Sequence, residues 1–158
     1  VTPYLYKADD NPQGAVTDAD VAEKQQGVKE DRQAFLEKFS QNFFTPKGGK
    51  LAVSDAQRVY AKTIAAFASP KGSHDCVAAF SRTDFRDDLK KFTIPTLVIH
   101  GDSDQIVPLE VSGVRTQQMV VGSQLHVIQG APHGCNASHA KEFNQVLIDF
   151  LKQPGSQR

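Results

Sequence analysis

Two aspartates and a histidine follow predicted parallel strands, at positions where their side chains could carry out acid–base catalysis together. Residues 96–100 (TLVIH) form an apolar, largely β-branched run, which is typical of a parallel strand covered on both faces. The turn-forming residues GDSD follow, so Asp102 and Asp104 come directly after the strand. A second short strand over 124–128 is followed by a loop that contains His133. Because parallel strands end at the same edge of a sheet, the sequence predicts a carboxylate and an imidazole at that edge.

Such a pair of side chains can carry out general acid–base catalysis. A carboxylate that accepts a hydrogen bond from imidazole Nδ1 fixes the tautomer, so that Nε2 can take a proton from a nucleophile and return it to a leaving group. Taken singly, an aspartate at a strand end is most often a turn former, and a loop histidine is seldom a base. Their joint placement at these two strand ends favours the catalytic interpretation, with Asp104 or Asp102 as the acid and His133 as the base.

The rest of the sequence predicts the elements that hold these loops. Apolar residues recur at helical spacing in the first half, and Ser54 begins the capping-box pattern SDAQ. In the second half, the two strands alternate with helices. We predict helices over residues 18–39, 55–68, 73–80, 84–91, 109–120 and 138–151, and strands over 96–100 and 124–128. A parallel unit is normally part of a larger sheet, so these two strands predict an incomplete one.

The composition argues against several classes of protein. The 158 residues are 39% hydrophobic and 23% charged, with a formal net charge of zero, so the basic footprint of a nucleic-acid or anionic-membrane binder is absent. No apolar run approaches the roughly 18 residues that span a bilayer, and the first residues do not resemble a secretory signal. Cys76 and Cys135 form no CxxC pair, which favours reduced thiols and a cytoplasmic location.

Other residues near the predicted site allow alternative interpretations. His133, Cys135 and His139 suggest a metal site, but the sequence has no second soft-ligand pair, so we predict no bound metal. His100 ends the first strand and is predicted to be a hydrogen-bonded packing residue, whereas His139 is predicted to start the last helix. Five phenylalanines are either core residues or the lining of an apolar substrate pocket, namely Phe35, Phe39, Phe43, Phe44 and Phe67.

Three stretches carry a resemblance to a known family: IPTLVIHGDSDQIVP over residues 94–108, GAPHG over 130–134 and SHAKEFN over 138–144. They resemble the cofactor-free haloperoxidase and arylesterase branch of the α/β-hydrolase superfamily, whose triad runs in the order Ser, Asp, His. The resemblance implies a carboxylesterase that is also a perhydrolase, acts on a small ester or acyl substrate and needs no cofactor. It assigns Asp104 as the triad acid, in preference to Asp102, and His133 as the base.

The resemblance also implies the fold, because it covers essentially the whole chain. We expect an α/β protein with a helical cap region over residues 1–82. Residues 83–158 would form the last two β-α units of an α/β-hydrolase, with an incomplete parallel sheet.

The nucleophile of such an enzyme is not found in this sequence. No G-x-S-x-G motif occurs, and Ser73, Ser112 and Ser123 do not lie between suitable glycines at a strand-to-helix turn. We therefore expect the chain alone to be inactive as an esterase, and to pair with an upstream hydrolase fragment or with a second copy of itself. The alternative is a truncated hydrolase remnant without catalysis, which acts as an oligomeric structural or binding module.

Overall fold

Helices make up the first half of the chain, and a small parallel sheet with its flanking helices makes up the second. The computed structural model describes residues 2–153. The helices are α1 (Asp18–Glu30), α2 (Arg32–Phe43), α3 (Asp55–Ala66), α4 (Pro70–Arg82), α5 (Arg86–Leu89), α6 (Gly113–Met119), α7 (Cys135–Ser138) and α8 (Ala140–Leu151). The strands are β1 (Leu97–Gly101) and β2 (Gln124–Ile128), and a 3-10 turn spans Leu109–Val111. The predicted α/β class is confirmed.

The sheet has two parallel strands within residues 2–153. β1 pairs with β2 in a register that runs from Leu97 opposite Gln124 to Gly101 opposite Ile128. The prediction that the first strand is covered on both faces is wrong for the described residues, because residues 97–100 are only half-buried. Helices α6 and α8 pack on these two strands, and the outer edges of the pair carry no further strand in the described part of the chain.

The predicted single helix over residues 18–39 is wrong, because the chain breaks at Asp31. This residue leaves the helical region, with φ −144° and ψ 85°, and its carboxylate accepts a hydrogen bond from the Ala34 N–H at 2.9 Å. An aspartate favours such a cap over continuing the helix. A Cβ on Gly27 would lie 3.2 Å from the Phe35 ring, so the glycine lets α1 and α2 pack closely beside the break.

The capping box predicted at Ser54 is confirmed, and it starts α3. The Ser54 hydroxyl accepts from the Gln57 N–H at 3.2 Å, while the Gln57 side-chain oxygen accepts from the Ser54 N–H at 3.2 Å. These two bonds satisfy two backbone donors at the helix start, which have no partner within the helix.

Other predicted helix ends are wrong. The short helix predicted over 73–80 is α4, which begins at Pro70 under a Ser69 cap. Thr83, the residue before the helix predicted over 84–91, ends α4 and donates its hydroxyl hydrogen to the Ala79 carbonyl at 2.6 Å. The helix predicted over 109–120 is divided at Ser112, where the backbone leaves the helical region. The helix predicted over 138–151 is confirmed as α8, which starts at Ala140.

Two separate clusters of buried apolar residues form the core of the described residues. The first joins the N-terminal segment to α1 and α4 through Leu5, Val16, Val21 and Val77. The second lies at the end of β2 and contains Ile128, Ala131 and Cys135, with Ile99 and Phe143 against it. The second cluster therefore fixes the loop that carries His133. Among residues 2–153, no helix combines the length and the apolarity needed to cross a membrane.

Candidate active site

Backbone hydrogen bonds join the loop after β1 to the loop after β2. The Ser103 N–H donates to the Ala131 carbonyl at 3.1 Å, and the Asp102 N–H donates to the Ile128 carbonyl at 3.2 Å. Gly101 permits this approach, since a Cβ there would lie 2.2 Å from the Ala131 oxygen. The two loops are therefore held as one unit at the carboxyl end of the sheet.

The structure brings together the predicted residues Asp104 and His133. The Asp104 Oδ2 lies 2.6 Å from the His133 Nδ1. The Asp104 side chain is 2% exposed and that of His133 is 32% exposed. A carboxylate accepts hydrogen bonds, so Nδ1 carries the proton, and Nε2 of the neutral ring keeps its lone pair. An orienting carboxylate and an imidazole set up as a general base are the arrangement that acyl-transfer enzymes use.

Asp102, the rival acid, does not contact the His133 ring. Its Oδ1 accepts from the Gly130 N–H at 2.7 Å and from the Ser103 hydroxyl at 3.1 Å. Gly130 has φ +69°, a conformation that glycine adopts readily. The exposed Asp102 carboxylate therefore stabilises the turns of the two loops.

Four donors surround the Asp104 carboxylate. Oδ1 accepts from the N–H groups of Ile106, at 2.8 Å, and Val107, at 2.9 Å. Oδ2 lies 3.2 Å from the Nε2 of His100, in addition to its contact with His133. Burial alone would raise the pKa of this carboxyl, but the hydrogen bonds from His100, His133 and Val107 outweigh that effect and lower its pKa well below the usual range.

Replacing Asp104 by asparagine is expected to lower the free energy of unfolding by about 2 kcal/mol at pH 7, because charge-assisted hydrogen bonds are lost. Since the folded-state pKa of Asp104 is lowered, its contribution is complete above the ordinary value of 3.8 and is lost as the pH falls below it. Urea unfolding of both forms at fixed protein concentration, between pH 7 and pH 3, measures the difference. A gap that stays constant down to pH 3 would contradict an ionised, hydrogen-bonded Asp104.

The end of α2 and the segment after it hold both loops of the site. The Gly134 N–H donates to the Phe43 carbonyl at 2.8 Å, and the Phe43 ring meets the His133 ring edge-on at 4.9 Å. A Cβ on Gly134 would lie 2.5 Å from the Phe44 ring, so only glycine fits there. On the other loop, the Gln105 side chain donates to the Thr45 carbonyl at 2.8 Å. Sequence reasoning missed these contacts, since no local pattern links residues so far apart along the chain.

The structure distinguishes among the five phenylalanines that the sequence left as either core residues or pocket lining. Phe35, Phe39 and Phe43 form a continuous row of rings with centroids about 6 Å apart, which leads to the His133 ring. Phe44 is buried, whereas Phe67 is 86% exposed and is no core residue of the described chain. Phe35 and Phe39 also line an open groove of about 660 Å³ between α1, α2 and the Asp104 loop.

Of the three residues considered as metal ligands, His133 and His139 have other hydrogen-bond partners. The His139 Nδ1 lies 2.9 Å from the Ser138 hydroxyl oxygen, and burial raises the pKa of the Cys135 thiol. Among residues 2–153, no group of three or more His, Cys, Asp or Glu side chains is arranged to hold a metal ion. His139 lies at the start of α8, as predicted.

The N-terminal helices α1 to α4 precede a parallel β-α-β-α unit whose successive loops present an acid and then an imidazole. This combination defines the class: the cap and last two β-α units of an α/β-hydrolase.

Comparison with known proteins gives the family. No family model matches the sequence. A putative non-heme chloroperoxidase of Synechocystis sp. is 39% identical over 156 residues, which are 96% of this chain and 55% of that protein. A bifunctional esterase/perhydrolase of Acinetobacter calcoaceticus is 39% identical over 82 residues, which are 52% of this chain and 30% of that protein. The crystal structure of a bromoperoxidase from Bacillus anthracis superposes with a TM-score of 0.92 at 53% identity, over 96% of this chain and 55% of that one.

The chain is therefore a homologue of the non-heme chloroperoxidases and esterases with the α/β-hydrolase fold, and it matches their C-terminal part. It spans about half the length of the chloroperoxidases that it matches.

Proposed function

We propose that this chain supplies the acid and the base of a serine carboxylesterase, and that the nucleophile and the oxyanion hole lie in the upstream half of the same fold. The observation that carries the proposal is the 2.6 Å contact between the buried Asp104 carboxylate and the His133 Nδ1. The homology to esterases and haloperoxidases supports it, as does the order of acid and base along the chain.

The chemistry follows from the tautomer that Asp104 fixes. The Nε2 of His133 takes the proton of the serine hydroxyl as the serine oxygen attacks the ester carbonyl. The resulting imidazolium is stabilised by the Asp104 carboxylate and then gives its proton to the leaving alkoxide, so that an alcohol departs and an acyl-enzyme remains. Water, deprotonated by the same Nε2, then releases the acid and restores the serine. The protein supplies every proton transfer in this cycle through one imidazole.

Hydrogen peroxide is an alternative acceptor in the second half of this cycle. Its oxygen attacks the acyl-enzyme in place of water, its proton passes to the His133 Nε2, and the product is a peracid together with the regenerated serine. We include this perhydrolase reaction because one relative carries the name esterase/perhydrolase. A peracid formed in this way oxidises halide ions in solution, which would account for haloperoxidase activity without a metal or cofactor.

The partner is proposed to be the upstream part of a hydrolase core. Within residues 2–153, β1 and β2 hydrogen-bond to each other and to no third strand, and open strand edges are templates for pairing with another chain. Phe80 and Phe92 are 51% and 41% exposed, and they line an apolar groove together with Phe85 and Leu89. Exposed apolar surface of this kind is typical of an interface.

The chain by itself is expected to associate through these edges. Size exclusion with light scattering is expected to give dimers or larger species for the chain alone, and a one-to-one complex when the upstream part of a homologous hydrolase is added. A cooperatively folded species at the 17.3 kDa of one chain would contradict the proposed pairing.

The function is tested by supplying the upstream half of the fold. The part of the Bacillus anthracis bromoperoxidase that this chain does not cover, here called the upstream piece, is joined to this chain to give the fusion. The fusion is expected to hydrolyse 4-nitrophenyl acetate with a burst of nitrophenol, whereas the chain alone is expected to show at most slow imidazole catalysis without a burst. A folded fusion without activity would reject the proposal and favour the non-catalytic remnant.

A further inference from the structure

A second imidazole contacts the acid of the proposed pair. His100 lies in β1 with its side chain 11% exposed, and its Nε2 is 2.9 Å from the Val107 carbonyl oxygen and 3.2 Å from the Asp104 Oδ2. A carbonyl oxygen only accepts hydrogen bonds, so the His100 Nε2 carries the proton and shares it between these two oxygens.

This contact completes the set of donors around the carboxylate. Two backbone N–H groups donate to Oδ1, and the two imidazoles contact Oδ2. A buried charge is stable when its lone pairs are satisfied, and Asp104 is almost fully buried. Without His100, Oδ2 would keep His133 as its one donor given by the structure, and the carboxylate could turn about its Cβ–Cγ bond.

We infer that His100 is a positioning residue, which holds the Asp104 Oδ2 in the direction of the His133 Nδ1. The inference deepens the proposed function and rests on it. His100 acts through Asp104 in two ways: it donates to the carboxylate, and it ties the Val107 carbonyl to β1, so that the turn whose N–H groups hold Oδ1 keeps its shape.

The start of α6 is shaped to receive this ring. A Cβ on Gly113 would lie 2.9 Å from the His100 Nδ1 and 3.0 Å from a Leu109 methyl group. Real Cβ atoms essentially never lie under 3.0 Å from another residue's atoms, so alanine at position 113 would displace the ring. Gly113→Ala therefore offers a way to move the imidazole without removing it.

The test compares His100→Leu, which keeps the bulk and loses the donor, with His100→Gln, whose amide nitrogen can replace Nε2. In the ¹⁵N-labelled chain, the Nδ1–H proton of His133 is expected to give a downfield, exchange-protected resonance in the wild type and in His100→Gln. This resonance is expected to disappear in His100→Leu and in Gly113→Ala.

In the fusion, His100→Leu is expected to lower kcat about 10-fold with KM nearly unchanged, and His100→Gln is expected to recover most of that loss. His126→Leu, on the neighbouring strand, is the control and should behave as the wild type.

The results that would overturn the positioning role of His100 can be stated in advance. If His100→Leu keeps both the resonance and kcat, or if it works better than His100→Gln, His100 is only a packing residue and the inference is wrong. If His100→Leu does not fold, the comparison of Gly113→Ala with the wild type gives the answer. A normal Nδ1–H resonance in an inactive fusion would reject the proposed function but not the role of His100, whereas its absence from the wild type would overturn both.

Discussion

Replacing His133 by alanine in the fusion is expected to lower kcat for 4-nitrophenyl acetate about a million-fold. In the proposed cycle the imidazole takes the serine proton in the first step and activates water in the second, so its loss would stop both halves of the cycle. Since alanine removes no group that is proposed to bind the ester, KM is expected to change far less than kcat. Stopped-flow measurement of nitrophenol release is expected to show that the burst has disappeared.

His139→Ala is the matched control for this change. His139 lies six residues further along the chain, at the start of α8, and its Nδ1 contacts the Ser138 hydroxyl and not the acid. We expect kcat of this variant to stay within about threefold of the wild type, as for a change outside the reacting groups. If His133→Ala retained a tenth of the wild-type kcat while the fusion still formed an acyl-enzyme, another group would have to be the base.

Replacing Asp104 by asparagine is expected to lower kcat in the fusion about ten-thousand-fold. An asparagine amide in this place can donate a hydrogen bond to Nδ1, which favours the tautomer whose Nε2 carries the proton and cannot act as a base. The imidazolium would also lose its counter-charge, which now lies 2.6 Å from the ring. The comparison is made at pH 7, which lies above the ordinary carboxyl pKa of 3.8 and further above the lowered pKa of Asp104, so the wild-type residue is ionised.

Asp102→Asn tests the choice between the two acids. Its carboxylate accepts from the Gly130 N–H and the Ser103 hydroxyl, and an asparagine oxygen can accept both bonds. We expect a loss of less than about tenfold in kcat, since the turn is kept and the imidazole is not contacted. A larger effect from Asp102→Asn than from Asp104→Asn would reverse the assignment of the triad acid.

Local sequence signals predict the parts of the fold that short-range forces control. The capping box at Ser54 and the short strand Gln124–Ile128 both appear where the sequence places them. The break at Asp31 could not be found in this way. Apolar residues continue in phase from α1 into α2, and the outcome depends on the Asp31 cap together with the close packing of Phe35 against Gly27. A helical pattern of apolar residues does not tell whether a helix continues through a residue or is capped there.

In the site, too, local sequence signals predict some features and do not predict others. Asp104 and His133 could be selected because strand ends and two loop motifs mark them. The role of the α2 end in holding their loops could not be, since the bond from Gly134 to Phe43 joins residues from opposite halves of the chain. For His100 one signal existed: a polar residue in an apolar strand needs a partner. The sequence did not tell which group that partner is, and the structure gives the Val107 carbonyl and the Asp104 carboxylate.

Covalent labelling can show whether the nucleophile lies on this chain or on the upstream piece. The upstream piece and this chain are prepared as separate polypeptides, mixed, treated with a fluorophosphonate and analysed by intact mass. We expect one label for each upstream piece when wild-type chain is present, little label when the chain is omitted or carries His133→Ala, and no label on this chain. A label on a serine of this chain, or equal labelling of the upstream piece in its absence, would contradict the claim that Asp104 and His133 serve a serine outside these 158 residues.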